Sequence, residues 1–299
     1  MLNTDVSLSK KKKSMSRNVV FIIAFVLLML YTLYVLFFFV FAFVCATKTD
    51  NHQYTQDKIN KVLFGLGGGF NLKNFVTAFD QLENVVQGFS FGNMLWNSLW
   101  RTITSSVLSI MASSMVCYIL VFYRSKMTKF IYNLGLFVSV LPVYGSAGST
   151  YRLMHNLGLI NNPINMFVSV TLYGGYFFYM YAFFKSFSWE YAEAAFVDGA
   201  GHFGVFFKIM FPMALPSVSA LFIMSFISGW NDYESTLLYM NKYPNLAYGV
   251  YAFSENQKYV ANMPGLFAGV LITLIPVLIL FLIFQNTIME KVHLGGLKG

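Results

Sequence analysis

Charge is what this chain has least of. Only 11% of its residues are Asp, Glu, Lys or Arg, while 57% are hydrophobic. A soluble domain carries about a quarter charged residues. With a mean hydropathy of +0.59, the chain falls instead in the membrane class. Cysteine is nearly absent too. Cys45 and Cys117 both lie in apolar runs. Without ligand spacing they exclude a disulfide framework or zinc site and read as small core hydrophobes. The signatures of catalysis are missing: no HExxH, no nucleophile elbow and no Cys/His cluster. The Gly-rich stretch at 65–69 lacks the Lys and Ser/Thr of a phosphate loop and reads as a turn. The chain is therefore expected to be no enzyme and to hold no metal or cofactor. Its formal charge of +8 sits largely beside apolar runs, which suits membrane orientation rather than nucleic acid.

What is present is a series of long apolar runs. The run 19–46 carries no charge. At 1.5 Å per residue it crosses a hydrocarbon core of about 30 Å with length to spare. It is too long for the h-region of a signal peptide, so it reads as an uncleaved first span behind a polar tail, 1–18. Residues 47–93 form a polar segment, expected outside the cell membrane, with an interfacial helix over 70–79. The core, 94–289, is expected to hold five more spans, at about 94–123, 130–149, 164–184, 213–239 and 265–284. Span two has the small serines Ser105, Ser106, Ser109, Ser113 and Ser114, which favour close helix contacts in lipid. Arg101, near its outer end, is expected to reach for the interface. Span three is broken by Pro142 and loosened by Gly145 and Gly148. Span four has the pair Gly174-Gly175, and span six is kinked at Pro276. A tail, 290–299, closes the chain. His155, in an outer loop, could be a ligand or a proton relay, but a lone loop histidine reads first as a solvated side chain.

Twelve of the twenty basic residues fall on one side of this arrangement, among them Lys10 to Lys13, Arg17, Arg124, Lys126, Lys129, Lys185 and Lys208. By the positive-inside rule that side is cytoplasmic, with both termini. The chain is thus expected to be an all-α protein with six transmembrane helices in the bacterial cytoplasmic membrane.

One loop stands out. Residues 188–216 lie between apolar runs yet carry Glu190, Glu193, Asp198, His202 and Lys208. Such charge is costly in lipid, so the loop sits in water. Ser188 can cap a helix whose first turn holds Glu190 and Glu193. Ala192, Ala194 and Ala195 favour helix and present almost no side chain. Gly199 and Gly201 can end it by adopting positive φ. A second short segment, 203–211, then leads into a span at Pro212.

Glu193-Ala194-Ala195, Gly199, Ile209 and Phe211-Pro212 stand at the spacing of the EAA loop, with Phe211 where Leu is usual. The chain therefore resembles the permease subunits of ATP-binding-cassette (ABC) importers. Asp198-Gly199-Ala200 and Pro216 resemble the carbohydrate branch, of maltose-permease type. Weaker likenesses run along the chain: Asn97-Ser98-Leu99 opening span two, the stretch at 157–163, and a Gly-Lys-Gly tail. The resemblance implies a type I importer fold with a cytoplasmic coupling helix between spans four and five. Glu193, Ala194, Ala195, Asp198, Gly199, Ala200, Ile209 and Pro212 would couple it to an ATPase. It implies as partners a second homologous permease subunit, two ATP-binding subunits and an extracytoplasmic solute-binding protein, besides membrane lipid and no nucleic acid. ATP and Mg would belong to the ATPase, not to this chain. The implied cargo is a sugar or oligosaccharide, or a glycerol-phosphate-like substrate.

Trp230, Asn231, Asp232, Tyr233 and Glu234 close span five. Two carboxylates beside a span must face water or protein. They read either as a lining of the translocation pathway or as packing at a subunit interface. Two other classes stay open. An ion-coupled secondary transporter would place ionisable groups within several spans, and a membrane scaffold would leave the EAA spacing unexplained.

Overall fold

The computed structural model describes residues 2–62, 64, 70–123, 125–141, 147–170, 173, 175–260 and 262–292. Arg124, Pro142, Gly145, Gly174, the glycine stretch 65–69 and the tail from 293 lie outside them. The described residues are mostly helical, with no strand among them.

Four helical runs are long and apolar enough to cross a membrane: Phe21–Ala46, Phe91–Phe122, His202–Trp230 and Met263–Ile283. They correspond to expected spans one, two, five and six. The other two expected spans are not single long helices. The third is a helix from Lys126 to Val140 followed by a separate one, Ala147–Asn156. Leu141 between them is extended, at φ −67° and ψ 119°, as a residue preceding Pro142 is driven to be. The fourth is a single turn, Asn165–Val168, and a helix, Gly175–Lys185, that begins on the glycine. Glycine is a poor interior residue for a helix and a tolerable terminal one.

The chain forms two compact units, Met1–Asp80 with Asn256–Ile272, and Gln81–Glu255 with Thr273–Gly299. In the first, α1 runs Leu2–Ala46, so the expected polar tail 1–18 continues the span as helix. Most of its apolar side chains from Phe21 to Phe43 face outward, as a helix solvated by lipid requires. Its carboxyl end is capped from afar: Asn74 Nδ2 donates to the carbonyls of Ala46 at 2.8 Å and Lys48 at 2.7 Å. Asp50 caps α2, Asn51–Ile59, by accepting from Gln53 N at 2.7 Å. The buried Lys48 pairs with Asp57. Asn74 lies on α3, Lys73–Glu83, which starts three residues later than the expected interfacial helix.

The second unit is built on α4, Phe91–Phe122. Its buried serines, Ser98, Ser106, Ser113 and Ser114, let neighbours approach closely. Two of those neighbours are α8, Gly175–Lys185, and α11, Phe211–Trp230. A Cβ added at Gly229 of α11 would stand 3.2 Å from Thr102 Cγ2 of α4, so that crossing leaves little room. The core joining these helices includes Ile110, Cys117, Tyr118, Phe177, Met180, Phe184 and Leu221. Both cysteines are buried and free. The remaining helices are α5 (Lys126–Val140), α6 (Ala147–Asn156), α7 (Asn165–Val168), α9 (Glu190–Val197), α10 (His202–Val205), α12 (Glu234–Tyr239), α13 (Leu246–Val260) and α14 (Met263–Val292). The last continues through Pro276 and past the expected end of span six.

Span five ends earlier than expected, at Trp230 rather than 239. Asn231 caps it, so Asp232 stands beyond that helix and Glu234 opens the next one, α12, Glu234–Tyr239.

Candidate functional site: the 188–216 loop

The helix expected here is α9. Its start is tied by Ser188, whose Oγ accepts from Glu190 N at 3.3 Å. Glu190 and Glu193 occupy the first turn, at the positive end of the helix dipole. The helix ends in a Schellman motif. Gly199 N donates to Phe196 O at 3.0 Å and Ala200 N to Ala195 O at 2.9 Å, with Gly199 at φ +82°. Only glycine takes that angle without penalty. Gly201, expected to share the role, does not: its φ is −77° and ψ 164°, ordinary extended backbone. One left-handed residue is enough to reverse the chain.

From His202 the path is helical without a break into α11. One turn inside it, Phe206–Met210, is a π-helix, in which Phe211 N bonds Phe206 O. Pro212 explains this. It has no N–H for Lys208 O, and its ring crowds that carbonyl, so the turn widens. The segment expected as a separate short stretch is thus the first two turns of the span itself.

The two faces of α9 differ in burial. Ala192 and Ala195 are buried against the same core as Phe184, Val205 and Met210, with Ala200 and Ile209 packed at its edge. Trp189 stacks on Phe122 with ring centres 5.1 Å apart, and Phe196 packs on Trp189 at 5.8 Å and His202 at 5.0 Å. His202 Nδ1 also bonds the Tyr123 hydroxyl. The helix is therefore seated on the end of α4 by aromatic rings. The other face is open. Glu193, Ala194, Asp198 and Gly199 are exposed, and Val197 is 87% exposed beside Tyr191 and Phe203. A Cβ at Gly199 would meet no atom of this chain within 4 Å. Of the expected coupling residues, Glu193, Ala194, Asp198 and Gly199 form the open face. Ala195, Ala200 and Ile209 form the seat, and Pro212 sets the turn leading to the span.

The second expected cluster does not form one patch. Trp230 is buried with Met94 and Leu246 and stacks on Phe226 at 5.7 Å. Asn231 turns back, donating to Ile227 O at 2.8 Å. Asp232 Oδ1 accepts from Ser235 N at 3.0 Å. Tyr233 stacks on Tyr251 at 4.6 Å, and Glu234 is exposed.

Around them lies a clasp that the sequence reading missed. Arg101, expected at the interface, is 8% exposed. Its Nη1 donates to Thr236 Oγ1 at 2.6 Å and Tyr243 O at 2.8 Å, and its Nη2 to Ser235 Oγ at 2.9 Å. Asn97 donates to Pro244 O at 3.0 Å, and Ser98 Oγ accepts from Leu246 N at 2.7 Å. Asn245 accepts from Thr236 Oγ1 and Tyr248 N and donates to Asp232 O. One signal was available: Asn97 and Arg101 are one turn apart, polar residues on one face of an otherwise apolar helix.

Four helices long and apolar enough to cross a membrane, packed through small residues, define an α-helical membrane protein, and one short helix between them is braced on one face and open on the other. The chain belongs to the family described as binding-protein-dependent transport system inner membrane component, which matches residues 6–292. It is 27% identical to the diacetylchitobiose uptake system permease protein NgcG of Streptomyces coelicolor, over 74% of each chain. It is 30% identical to the arabinooligosaccharides transport system permease protein AraQ of Halalkalibacterium halodurans, over 73% of this chain and 80% of that one. The melibiose/raffinose/stachyose import permease protein MelC of Bacillus subtilis is 27% identical, over 74% of this chain and 82% of MelC. A chain from the crystal structure of a bacterial ABC transporter involved in the import of the acidic polysaccharide alginate shares the fold. It has a TM-score of 0.66 at 20% identity, over 91% of this chain and 97% of that one.

Proposed function

We propose that this chain is one of two related membrane subunits of an ABC importer that moves a sugar or oligosaccharide into the cell. The observation that carries the reading is the division of α9 into a seated face and an open one. Ala192 and Ala195 fasten it to the core continuous with α4, α8 and α11, and Tyr191, Glu193, Ala194 and Val197 remain for a partner. A push on the open face is carried by rigid packing into the span that begins at His202, because packed interiors deform little. The partner in this reading is a separate ATPase, which holds the ATP and Mg. A solute-binding protein delivers the cargo on the far side. Six spans fit this role if the two broken segments, 126–156 and 165–185, cross the membrane as interrupted helices. Both termini and the 188–216 loop are then cytoplasmic, and residues 47–93 lie outside.

The sugar comes from what the permeases NgcG, AraQ and MelC are named for. A second cargo class is favoured by the sn-glycerol-3-phosphate permease protein UgpE of Brucella abortus, 31% identical over 177 residues, 59% of this chain and 62% of that one. Competition of labelled maltooligosaccharide, arabinooligosaccharide and glycerol-3-phosphate for uptake separates them.

The test of the mechanism uses a cysteine. Cys45 and Cys117 are buried, so a V197C chain has one exposed thiol. In the intact assembly a bifunctional thiol reagent should join it to the ATPase. An impermeant maleimide should reach it in inside-out vesicles and not in whole cells. Labelling from outside overturns the reading.

A further inference from the structure

Beside Trp189 lies a groove of about 1060 Å³ between α4, α5 and α8. Its polar rim carries Lys126 and Lys129, one turn apart on α5, and Lys185, in the last turn of α8. No Asp or Glu is among the described residues that line it. Its floor is aromatic: Phe122 stacked on Trp189, and Tyr132 stacked on Tyr181 at 4.5 Å. The groove stands where the apolar run of α4 ends at Phe122, the end of a helix long and apolar enough to cross a membrane.

We propose that this groove binds the phosphodiester headgroup of an anionic membrane phospholipid. Three lysines line one concavity whose described lining holds no carboxylate, which is the charge a phosphate needs. The aromatic floor suits the glycerol and first methylenes of an acyl chain, for which a free phosphate has no use. A concavity of this volume is of the size that takes a whole ligand. Occupied, it would brace α5 and α8 against Trp189, the residue on which α9 is seated. The inference requires only that the chain span a membrane and does not depend on an ATPase or on the cargo.

The full chain, purified in detergent, is titrated with short-chain phosphatidylglycerol, and bound lipid is counted by native mass spectrometry. Each lysine near a lipid surface contributes roughly fivefold in affinity, so K126Q/K129Q/K185Q should weaken binding by at least about tenfold. K126R/K129R/K185R should bind as the parent does. The triple K58Q/K61Q/K73Q, which removes equal charge from exposed positions elsewhere, should also leave binding unchanged. Unaltered binding by the first triple overturns the proposal. So does equal binding of phosphatidylcholine, or displacement of the lipid by an equal concentration of inorganic phosphate, which would assign a soluble anion instead.

Discussion

The Arg101 guanidinium donates to the Thr236 hydroxyl oxygen at 2.6 Å across 135 residues of sequence. The same guanidinium holds Ser235 and the Tyr243 carbonyl. It thereby fixes the turn after span five to the first third of span two.

Arg101→Ala should destabilise the chain by roughly 2–4 kcal/mol, because three acceptors lose a charged donor and Thr236 is fully buried. Arg101→Lys should recover less than half, since one ammonium cannot reproduce the two-nitrogen fork. Thermal unfolding in detergent gives the loss. Limited proteolysis should show cleavage within 231–245 first.

Asn245 is the hub of the same clasp, with three hydrogen bonds in a buried position. Asn245→Ala should cost about 2–3 kcal/mol. Combined with Arg101→Ala, the losses should fall short of additive by about 1–2 kcal/mol, because both act through Thr236. Strict additivity would separate Asn245 from the arginine.

Gly199 offers a way to tell strain from contact. Its φ of +82° makes Gly199→Val costly by about 1–2 kcal/mol. Gly199→Asn tolerates the angle and places a side chain where this chain has no atom within 4 Å. If a partner approaches here, Gly199→Asn should leave the melting temperature unchanged and still lower transport-coupled ATP hydrolysis severalfold. Full activity of the Asn variant means the glycine serves the turn alone.

The two faces of α9 should respond differently. Glu193→Lys and Val197→Asp alter exposed positions, so stability should change by no more than about 0.5 kcal/mol while the ATPase is lost on co-purification. Ala195→Leu overpacks the seat and should cost about 1–3 kcal/mol in the isolated chain. Retention of the ATPase by both surface variants would sink the coupling proposal.

Much of this molecule could be read along the chain because its causes are local. Four uncharged or nearly uncharged stretches had to be long helices, since lipid offers the backbone no other partner. The reversal at Gly199 followed from the one residue type that accepts positive φ, and the widened turn at 206–210 follows in principle from Pro212. What was misread had remote causes. Arg101 looked like an interfacial side chain because its acceptors lie more than 130 residues away. Of Trp230 to Glu234, adjacency in sequence could not show that Trp230 packs on Met94 while Tyr233 stacks on Tyr251.

Residue type and order alone determined the membrane class, the long helices and the corner after α9, through burial cost and backbone sterics. Tertiary structure decided which face of α9 is fastened and which is open, and that a buried arginine holds the turn beyond span five. Those outcomes depend on which distant groups meet, and no local pattern carries that information.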